Sequence, residues 1–97
     1  MVYEIARFEI IPGKEVNFEA GVVSALPLFH RAHGCESVEL QRVVEHPNHY
    51  VLVVRWVTLE DHTVRFRQSD DFQEWRRLVG PYFQNAPEVV HTERAVK

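Results

Sequence analysis

Hydrophobic and polar residues follow two different periods along the chain, and the change from one period to the other predicts the order of secondary-structure elements. Segments that alternate every second residue, or that are apolar throughout, are predicted to be β-strands: residues 2–11, 35–45, 50–57 and 88–96. Segments with the helical period are predicted to be helices: residues 14–33 and 59–79. The order β-α-β-β-α-β indicates an α+β fold, the ferredoxin-like sandwich, in a single domain spanning residues 1–97.

The first predicted helix has one apolar face and a proline near its C-terminal end. Its apolar residues recur at helical spacing: Phe18, Val22, Ala25, Leu26 and Phe29. Pro27 has no backbone N–H to donate, so it is expected to kink the helix or divide it nearby. Gly34 is predicted to end the helix, because glycine readily adopts the left-handed conformation common at that position.

Two start signals divide the second helical region. Thr58 and Asp61 have the spacing of a capping box, in which the side chain of each residue bonds the backbone N–H of the other. Ser69 is a second N-cap, and it is followed by Asp70 and Asp71, where the helix dipole favours negative charge. The region is therefore predicted to form two short helices or one bent helix.

The third predicted strand is apolar on both faces, although a ferredoxin-like sheet has helices on one face only. Its two faces carry Tyr50, Leu52, Val54 and Trp56 on one side and Val51, Val53 and Val57 on the other. The turn sequence HPNH at 46–49 predicts a hairpin with the preceding strand, in which Val38, Leu40 and Val44 share one face. A second copy packing sheet to sheet would cover the remaining face, so we expect a homodimer with a barrel-like β core.

Composition and charge argue against several classes of function. The net charge of −3 gives no electrostatic reason to bind nucleic acid, and the third strand lacks the aromatic and basic signature of an RNA-recognition domain. No apolar run approaches the roughly 20 residues needed to span a membrane, so no membrane association is expected. Cys35 is the single cysteine, which fits the reducing environment of the cytoplasm.

Three stretches of the sequence resemble the antibiotic biosynthesis monooxygenase family of the dimeric α+β barrel superfamily. They are IIPGKE at 10–15, VVRWVTLEDHTVRFRQSDDFQEW at 53–75 and VVHTERAV at 89–96. The resemblance implies a pocket between the helices and the sheet in each subunit. Oxygenases of this family act on hydroquinones or polycyclic aromatic compounds with molecular oxygen, and they need no metal or flavin.

The resemblance therefore implies a cofactor-independent monooxygenase that oxidises a hydroquinone-like or polycyclic aromatic compound. Such an enzyme must bind a flat ring, remove or accept a proton, and exclude water. The superfamily also includes haem-degrading enzymes, isomerases and proteins of unknown activity, and fold alone does not decide among them. A non-catalytic dimer that binds a small aromatic or hydrophobic ligand is the alternative, and a pocket filled by the protein's own side chains is a third possibility.

The haem-degrading branch has a pattern of Asn, Trp and His from which this sequence departs. The three matching positions hold Ala6, Phe66 and Arg76. Haem degradation is therefore not expected.

His62 and Trp56 are the predicted catalytic residues. At helical spacing His62 shares an apolar face with Leu59, Thr63 and Phe66, one turn into the helix after Trp56, so the two rings could share a cavity. The ordinary pKa of histidine, roughly 6.5, suits a general base near neutral pH. A Trp at this kind of position contacts the substrate in oxygenases of the family. The alternative for both residues is a role in the core, with His62 bonded to a backbone carbonyl; His62 could also lie near the surface at the helix start.

Four further aromatic residues are predicted to hold the ring of a flat ligand: Phe29, Phe66, Phe72 and Trp75. Aromatic side chains suit pockets for such ligands, although a stripe of this kind also occurs as core packing.

A metal site is not expected. His30 and His33 have a spacing that could place two ligands on one metal, but Glu36 is the one further candidate ligand nearby.

Overall fold

A four-stranded antiparallel sheet with helices on one face forms the framework of the protein. The computed structural model describes residues 1–97, and its elements are β1 (Val2–Glu9), α1 (Glu15–His30), β2 (Cys35–Arg42), β3 (His49–Trp56), a π-helical segment (Asp61–Phe66), α2 (Asp70–Val79), a 3₁₀ turn (Gly80–Tyr82) and β4 (Glu88–Thr92). The strand order is β2-β3-β1-β4. This architecture confirms the predicted ferredoxin-like α+β fold.

The two central strands of the sheet are β1 and β3. They pair antiparallel over their whole length, from Val2 opposite Trp56 to Glu9 opposite His49. The predicted hairpin joins β2 to β3. The residues predicted to share one face of β3 are all buried on the helix-covered side: Tyr50, Leu52, Val54 and Trp56. The two largest fully buried side chains, Trp56 and Tyr50, therefore come from the strand that the sequence marks as the most apolar.

α1 ends at His30, three residues before the predicted end, and Pro27 does not divide it. Pro27 lies in the last turn, so its missing N–H removes one hydrogen bond and few helical residues follow it. The buried face of α1 comprises Phe18, Val22, Ala25, Leu28 and Phe29. Leu28 is thus buried in addition to most of the predicted face, whereas Leu26 is half-buried.

Gly34 permits a close contact between the loop after α1 and the π-helical segment. It lies beyond the end of the helix, and its φ of +80° is in the left-handed region that favours glycine. A Cβ atom at this position would lie 2.0 Å from Oδ2 of Asp61. Both the backbone conformation and the available space therefore require glycine here.

Both predicted start signals of the second helical region are formed. The backbone N–H of Thr58 donates to Oδ2 of Asp61, and the backbone N–H of Asp61 donates to Oγ1 of Thr58, each at 3.2 Å. Oγ of Ser69 accepts a hydrogen bond from the N–H of Phe72 at the start of α2. The region comprises two short helices, which is one of the two predicted forms.

The π-helical geometry of the first of these helices changes which residues face the interior. The N–H of Arg67 donates to the carbonyl oxygen of His62, the i to i+5 bond that places more residues in each turn than an α-helix does. His62 and Phe66 are buried as predicted, whereas Leu59 is exposed. The prediction that Leu59 shares their face was therefore wrong, because it assumed an α-helical period.

Three predicted strands are shorter in the structure, and the first of them, β1, ends at Glu9 and not at residue 11. β2 ends at Arg42, so Val44 lies outside the sheet and is 90% exposed instead of sharing a face with Leu40. β4 ends at Thr92 and not at residue 96. None of the helices is both long and apolar enough to cross a membrane.

The face of the sheet opposite the helices is uncovered. We call it the open face, and its apolar residues are Ile5, Val51, Val53 and Val90. Ile5, Val51 and Val53 are half-buried by their neighbours within the sheet, and Val90 is 45% exposed. The second apolar face that the sequence shows on β3 is therefore a real surface of the folded chain.

Candidate active site

A cavity of about 420 Å³ lies between the helix-covered face of the sheet, α2 and the loop that leads to β4. Its apolar wall includes Ala6, Phe8, Phe72, Trp75, Phe83 and Val89. Its polar groups include Glu4, His62, Arg67, Arg76 and Asn85. A mostly apolar, aromatic wall with a few polar groups is typical of a binding site for a small organic molecule.

Glu4 is a carboxyl group on the buried side of β1. It follows the alternation of Ala6, Phe8 and Ile10, so its side chain points toward the helices, and the residue is only 6% exposed. Burial raises the pKa of Glu4 to about 7, because the charged carboxylate loses its hydration. The N–H of the Trp56 indole, which donates to Oε1 at 3.1 Å, opposes this pKa shift, as does the charge of Arg67.

His62 occupies the first turn of the π-helical segment and is 2% exposed. Its Nε2 lies 3.3 Å from Oε1 of Glu4, and its ring stacks on Trp56 with a centroid distance of 5.3 Å. Burial lowers the pKa of His62 to about 3, and the nearby positive charge of Arg67 acts in the same direction. His62 is therefore a neutral imidazole at pH 7.

His91 on β4 completes a row of three ionisable groups. Its Nε2 lies 2.7 Å from Nδ1 of His62, and in the sheet register His91 is directly opposite Glu4. Burial also lowers the pKa of His91, with Arg67 again contributing. We call Glu4, His62 and His91 the polar network.

The polar network can hold a proton beside the cavity. A carboxyl group with a pKa near 7 exists in both protonation states at neutral pH, so Glu4 can act as a proton donor or acceptor. A neutral imidazole carries one N–H and one free lone pair, so His62 can donate a hydrogen bond from one nitrogen while accepting at the other. The site therefore combines an aromatic binding surface with acid–base groups.

The structure places three of the six predicted site residues in the cavity wall: His62, Phe72 and Trp75. Trp56 is fully buried and does not line the cavity, but its indole contacts both Glu4 and His62. This arrangement arises because the π-helical segment covers the end of β3 and places the ring of His62 over the indole.

Phe29 and Phe66 do not line the cavity. Their rings are 5.0 Å apart in the core, and Phe29 packs edge-on against Trp75 from behind the cavity wall. Their position follows from the buried face of α1, which brings Phe29 against the π-helical segment. Both residues support the wall from behind.

Two residues of the polar network were not among the predicted site residues. Glu4 has a signal in the sequence, because a carboxylate in phase with Ala6, Phe8 and Ile10 falls on the apolar face of a strand. His91 has none, since its contact with His62 depends on how β4 pairs with β1. Sequence spacing does not relate residues 4, 62 and 91.

The histidines at the end of α1 do not form a metal site. Nδ1 of His33 lies 2.9 Å from Oδ1 of Asp61, a residue that also caps the π-helical segment. The structure brings together no group of three or more His, Cys, Asp or Glu side chains that could hold a metal ion.

Known proteins resemble this chain in both sequence and structure. The family model for antibiotic biosynthesis monooxygenase matches residues 1–78. The uncharacterized protein YczJ of Bacillus subtilis (strain 168) is 37% identical over 91 residues, which cover 94% of this chain and 96% of that protein. The crystal structure of a Bordetella bronchiseptica protein assigned to the antibiotic biosynthesis monooxygenases matches with a TM-score of 0.96 at 52% identity, covering 98% of this chain and 97% of that chain.

A more distant structure shares the same fold. SnoaB, a cofactor-independent oxygenase from Streptomyces nogalater, matches with a TM-score of 0.85 at 19% identity, covering 99% of this chain and 94% of that chain. This likeness shows the fold alone. The family model spans most of the sequence, and the chain therefore belongs to the antibiotic biosynthesis monooxygenase family.

Proposed function

We propose that this protein is a cofactor-independent monooxygenase that oxidises a hydroquinone-like or polycyclic aromatic compound with molecular oxygen. The observation that carries the proposal is the position of an ionisable carboxyl, Glu4, and a buried imidazole, His62, in the wall of an aromatic cavity. Membership of the family supports the reaction class, and SnoaB, which shares the fold, is a cofactor-independent oxygenase.

The residues of the cavity would prepare a phenolic substrate for reaction with oxygen. Phe72 and Trp75 offer apolar surface against which a flat ring packs. Glu4, whose pKa is about 7, is the group that can take the proton of a ring hydroxyl, and His62 lies beside it as its partner in handling that proton. The resulting phenolate is electron-rich, so the substrate itself supplies the electrons that reduce oxygen, and Arg67 adds a positive charge that favours the anion.

Trp56 has a positioning role in this proposal. Its indole N–H bonds to Glu4 and its ring supports that of His62, so it holds both groups in the orientation that faces the cavity. Trp56 does not line the cavity, so in this proposal it acts through Glu4 and His62 and not by contact with the substrate.

Oxygen uptake with a panel of menadiol-like and polycyclic quinols tests the proposal. Uptake by the wild-type protein should exceed autoxidation without protein, and His62→Ala should lower it to that background, because the imidazole bordering Glu4 is lost. His46→Ala, which removes an exposed histidine outside the cavity, should retain wild-type uptake. Equal uptake by wild type and His62→Ala would show that His62 takes no part in the reaction.

A second candidate function is a non-catalytic dimer that binds a small aromatic or hydrophobic ligand. The observation that favours it is that both ring nitrogens of His62 already face protein groups, Glu4 and His91. Quenching of tryptophan fluorescence by a naphthoquinone would measure binding at the cavity wall, where Trp75 lies. Binding that is equal in wild type and His62→Ala, without oxygen uptake on any quinol, would favour this candidate over the oxygenase.

The proposal includes a homodimer formed by sheet-to-sheet packing of the open face. The support for it is the row of apolar side chains on β1, β3 and β4 that no helix covers, since sheets pack face to face through such side chains.

A cytoplasmic location is also part of the proposal. It rests on Cys35, the single cysteine, which has no disulfide partner in the chain.

A further inference from the structure

We propose that Glu4 is the group that exchanges a proton with the bound substrate, and that His62 and His91 carry this proton between the cavity and solvent at the β4 edge of the sheet. The assignment of the proton to a substrate rests on the proposed function. The route itself is a property of the protein without any ligand, and it can be tested without turnover.

The three groups form a continuous path through the interior. Oε1 of Glu4 is 3.3 Å from Nε2 of His62, and the opposite nitrogen of the same ring, Nδ1, is 2.7 Å from Nε2 of His91. An imidazole accepts a proton at one nitrogen and releases one from the other, so His62 can connect the two ends of the path. The contact of His62 with His91 has hydrogen-bond geometry, whereas the contact with Glu4 is a close approach that becomes a hydrogen bond when the carboxyl turns toward the ring. The indole N–H of Trp56 holds the carboxyl at the cavity end.

The solvent end of the path lies at the β4 edge of the sheet. β4 is an edge strand, and His91 is only partly buried, whereas Glu4 and His62 are almost completely buried. A ligand in the cavity would cover Glu4 on its open side, because Glu4 and His62 both belong to the cavity wall. Proton exchange with solvent would then have to pass through His62 and His91.

The charged surroundings keep both imidazole rings neutral, so a proton crosses them by an exchange of tautomers and is not held on a ring. Arg67 follows the π-helical segment, and its charge lowers the pKa of both His62 and His91. Arg76 on α2 also borders the cavity, and burial raises the pKa of the Cys35 thiol on β2 to about 11, with the charge of Glu4 contributing. Both imidazoles are therefore neutral at pH 7, and each can pass a proton on.

The transfer balances as a movement of protons alone. The carboxylate of Glu4 takes a proton from the substrate hydroxyl and passes it to Nε2 of His62. Nδ1 of His62 releases its own proton to Nε2 of His91, and Nδ1 of His91 releases a proton to solvent. No electron pair or leaving group moves, and the other product is the substrate anion. Both imidazoles are left in the opposite tautomer, and a proton that returns along the same path restores them.

Nuclear magnetic resonance of the protein labelled with ¹⁵N in its histidine and tryptophan side chains tests the route without substrate. A scalar coupling should connect Nδ1 of His62 to Nε2 of His91, because a single N–H bridges them. The indole N–H signal of Trp56 should shift with a midpoint near pH 7, and Glu4→Gln should abolish this shift. Absence of the coupling, or a Trp56 titration in Glu4→Gln that is the same as in wild type, overturns the proposal. The coupling is measured on the wild-type protein, so this test does not depend on the folding of a variant.

The exchange of the His62 ring proton with water separates a route from a structural contact. In His91→Gln the glutamine side chain still accepts a hydrogen bond from Nδ1 of His62, but it cannot pass a proton on. Exchange of the His62 ring proton with water should therefore slow by more than about tenfold. A tenfold change corresponds to a barrier higher by about 1.4 kcal/mol. His46→Gln, at an exposed histidine, should leave the rate unchanged. Unchanged or faster exchange in His91→Gln overturns the route, since a residue that only shields His62 would expose it when replaced.

These results do not depend on oxygen uptake. A protein that shows the coupling, the Glu4-dependent titration and slow exchange in His91→Gln, but oxidises no quinol, keeps the route and loses the proposed function. A protein that oxidises quinols without these signals keeps the proposed function and loses the route.

Discussion

At the scale of single residues, folding turns Glu4 from an ordinary carboxylate into a group that titrates near neutral pH. Its phase with Ala6 and Phe8 places it on the buried side of β1, and this much can be seen in the sequence. Its near-neutral pKa cannot, because that depends on hydration lost to residues of other elements. His62 was correctly predicted to face the interior, but its imidazole contacts a carboxyl and a second histidine instead of a backbone carbonyl.

The raised pKa of Glu4 predicts a particular dependence of stability on pH. The pKa of Glu4 is about 7 in the folded protein, whereas its ordinary value is 4.5. The protonated Glu4 therefore stabilises the folded protein fully below pH 4.5, and this stabilisation is lost as pH rises through 7. The loss is about 3 kcal/mol, from about 1.4 kcal/mol per pKa unit. Glu4→Gln lacks the ionisation, so its free energy of unfolding relative to wild type should increase by about this amount from pH 4.5 to pH 8.

Urea unfolding at a series of pH values measures this difference. Glu88→Gln, which removes an exposed carboxyl from β4, is the matched control and should follow the wild-type profile. Parallel profiles for Glu4→Gln and wild type would mean that Glu4 ionises in the folded protein as it does in the unfolded one.

At the scale of elements, local sequence signals predicted where helices begin better than where helices and strands end. The reciprocal bonds of Thr58 and Asp61 and the cap by Ser69 form as predicted, because each requires only residues three apart in the sequence. The π-helical geometry could not be predicted from spacing. Asp61 is also the residue that Gly34 contacts, so the cap of this segment is tied to the loop after α1.

The contact between Gly34 and Asp61 predicts different costs for two glycine substitutions. Both Gly34 and Gly13 have positive φ, so alanine at either position should cost about 1 kcal/mol of backbone strain. A methyl group at Gly34 would also overlap the Asp61 carboxylate, whereas one at Gly13 meets nothing within 4 Å. Gly34→Ala should therefore lower the free energy of unfolding by roughly 3 kcal/mol or more.

Thermal and urea unfolding of Gly34→Ala and Gly13→Ala in parallel measure this. A similar loss in both variants would show that backbone strain accounts for the whole effect and that the loop can move away from Asp61.

At the scale of the whole molecule, the open face is an apolar surface that no other part of the chain covers. A small domain buries a limited fraction of its surface, so covering Ile5, Val51, Val53 and Val90 would add apolar burial that the helices do not provide. This is the physical basis of the proposed homodimer.

Charge placed at the centre of the open face should dissociate the proposed dimer. Val53→Glu would bury a carboxylate between two sheets, so it should convert a dimer at micromolar concentration into a monomer. Val44→Glu adds the same charge at an exposed position outside the sheet and should leave the mass unchanged. Light scattering gives the mass directly, and a monomeric wild-type protein would contradict the proposal.

The sequence by itself determined the order of the elements, the buried face of β3, the two helix starts and the family. These features rest on residue periods and on contacts between near neighbours in the chain, which the sequence displays directly. The tertiary structure decided that Trp56, Phe29 and Phe66 lie behind the cavity wall and that Glu4, His62 and His91 form one network. These three residues meet only when β1, β4 and the π-helical segment are packed together, and their pKa values are set by the water that this packing excludes.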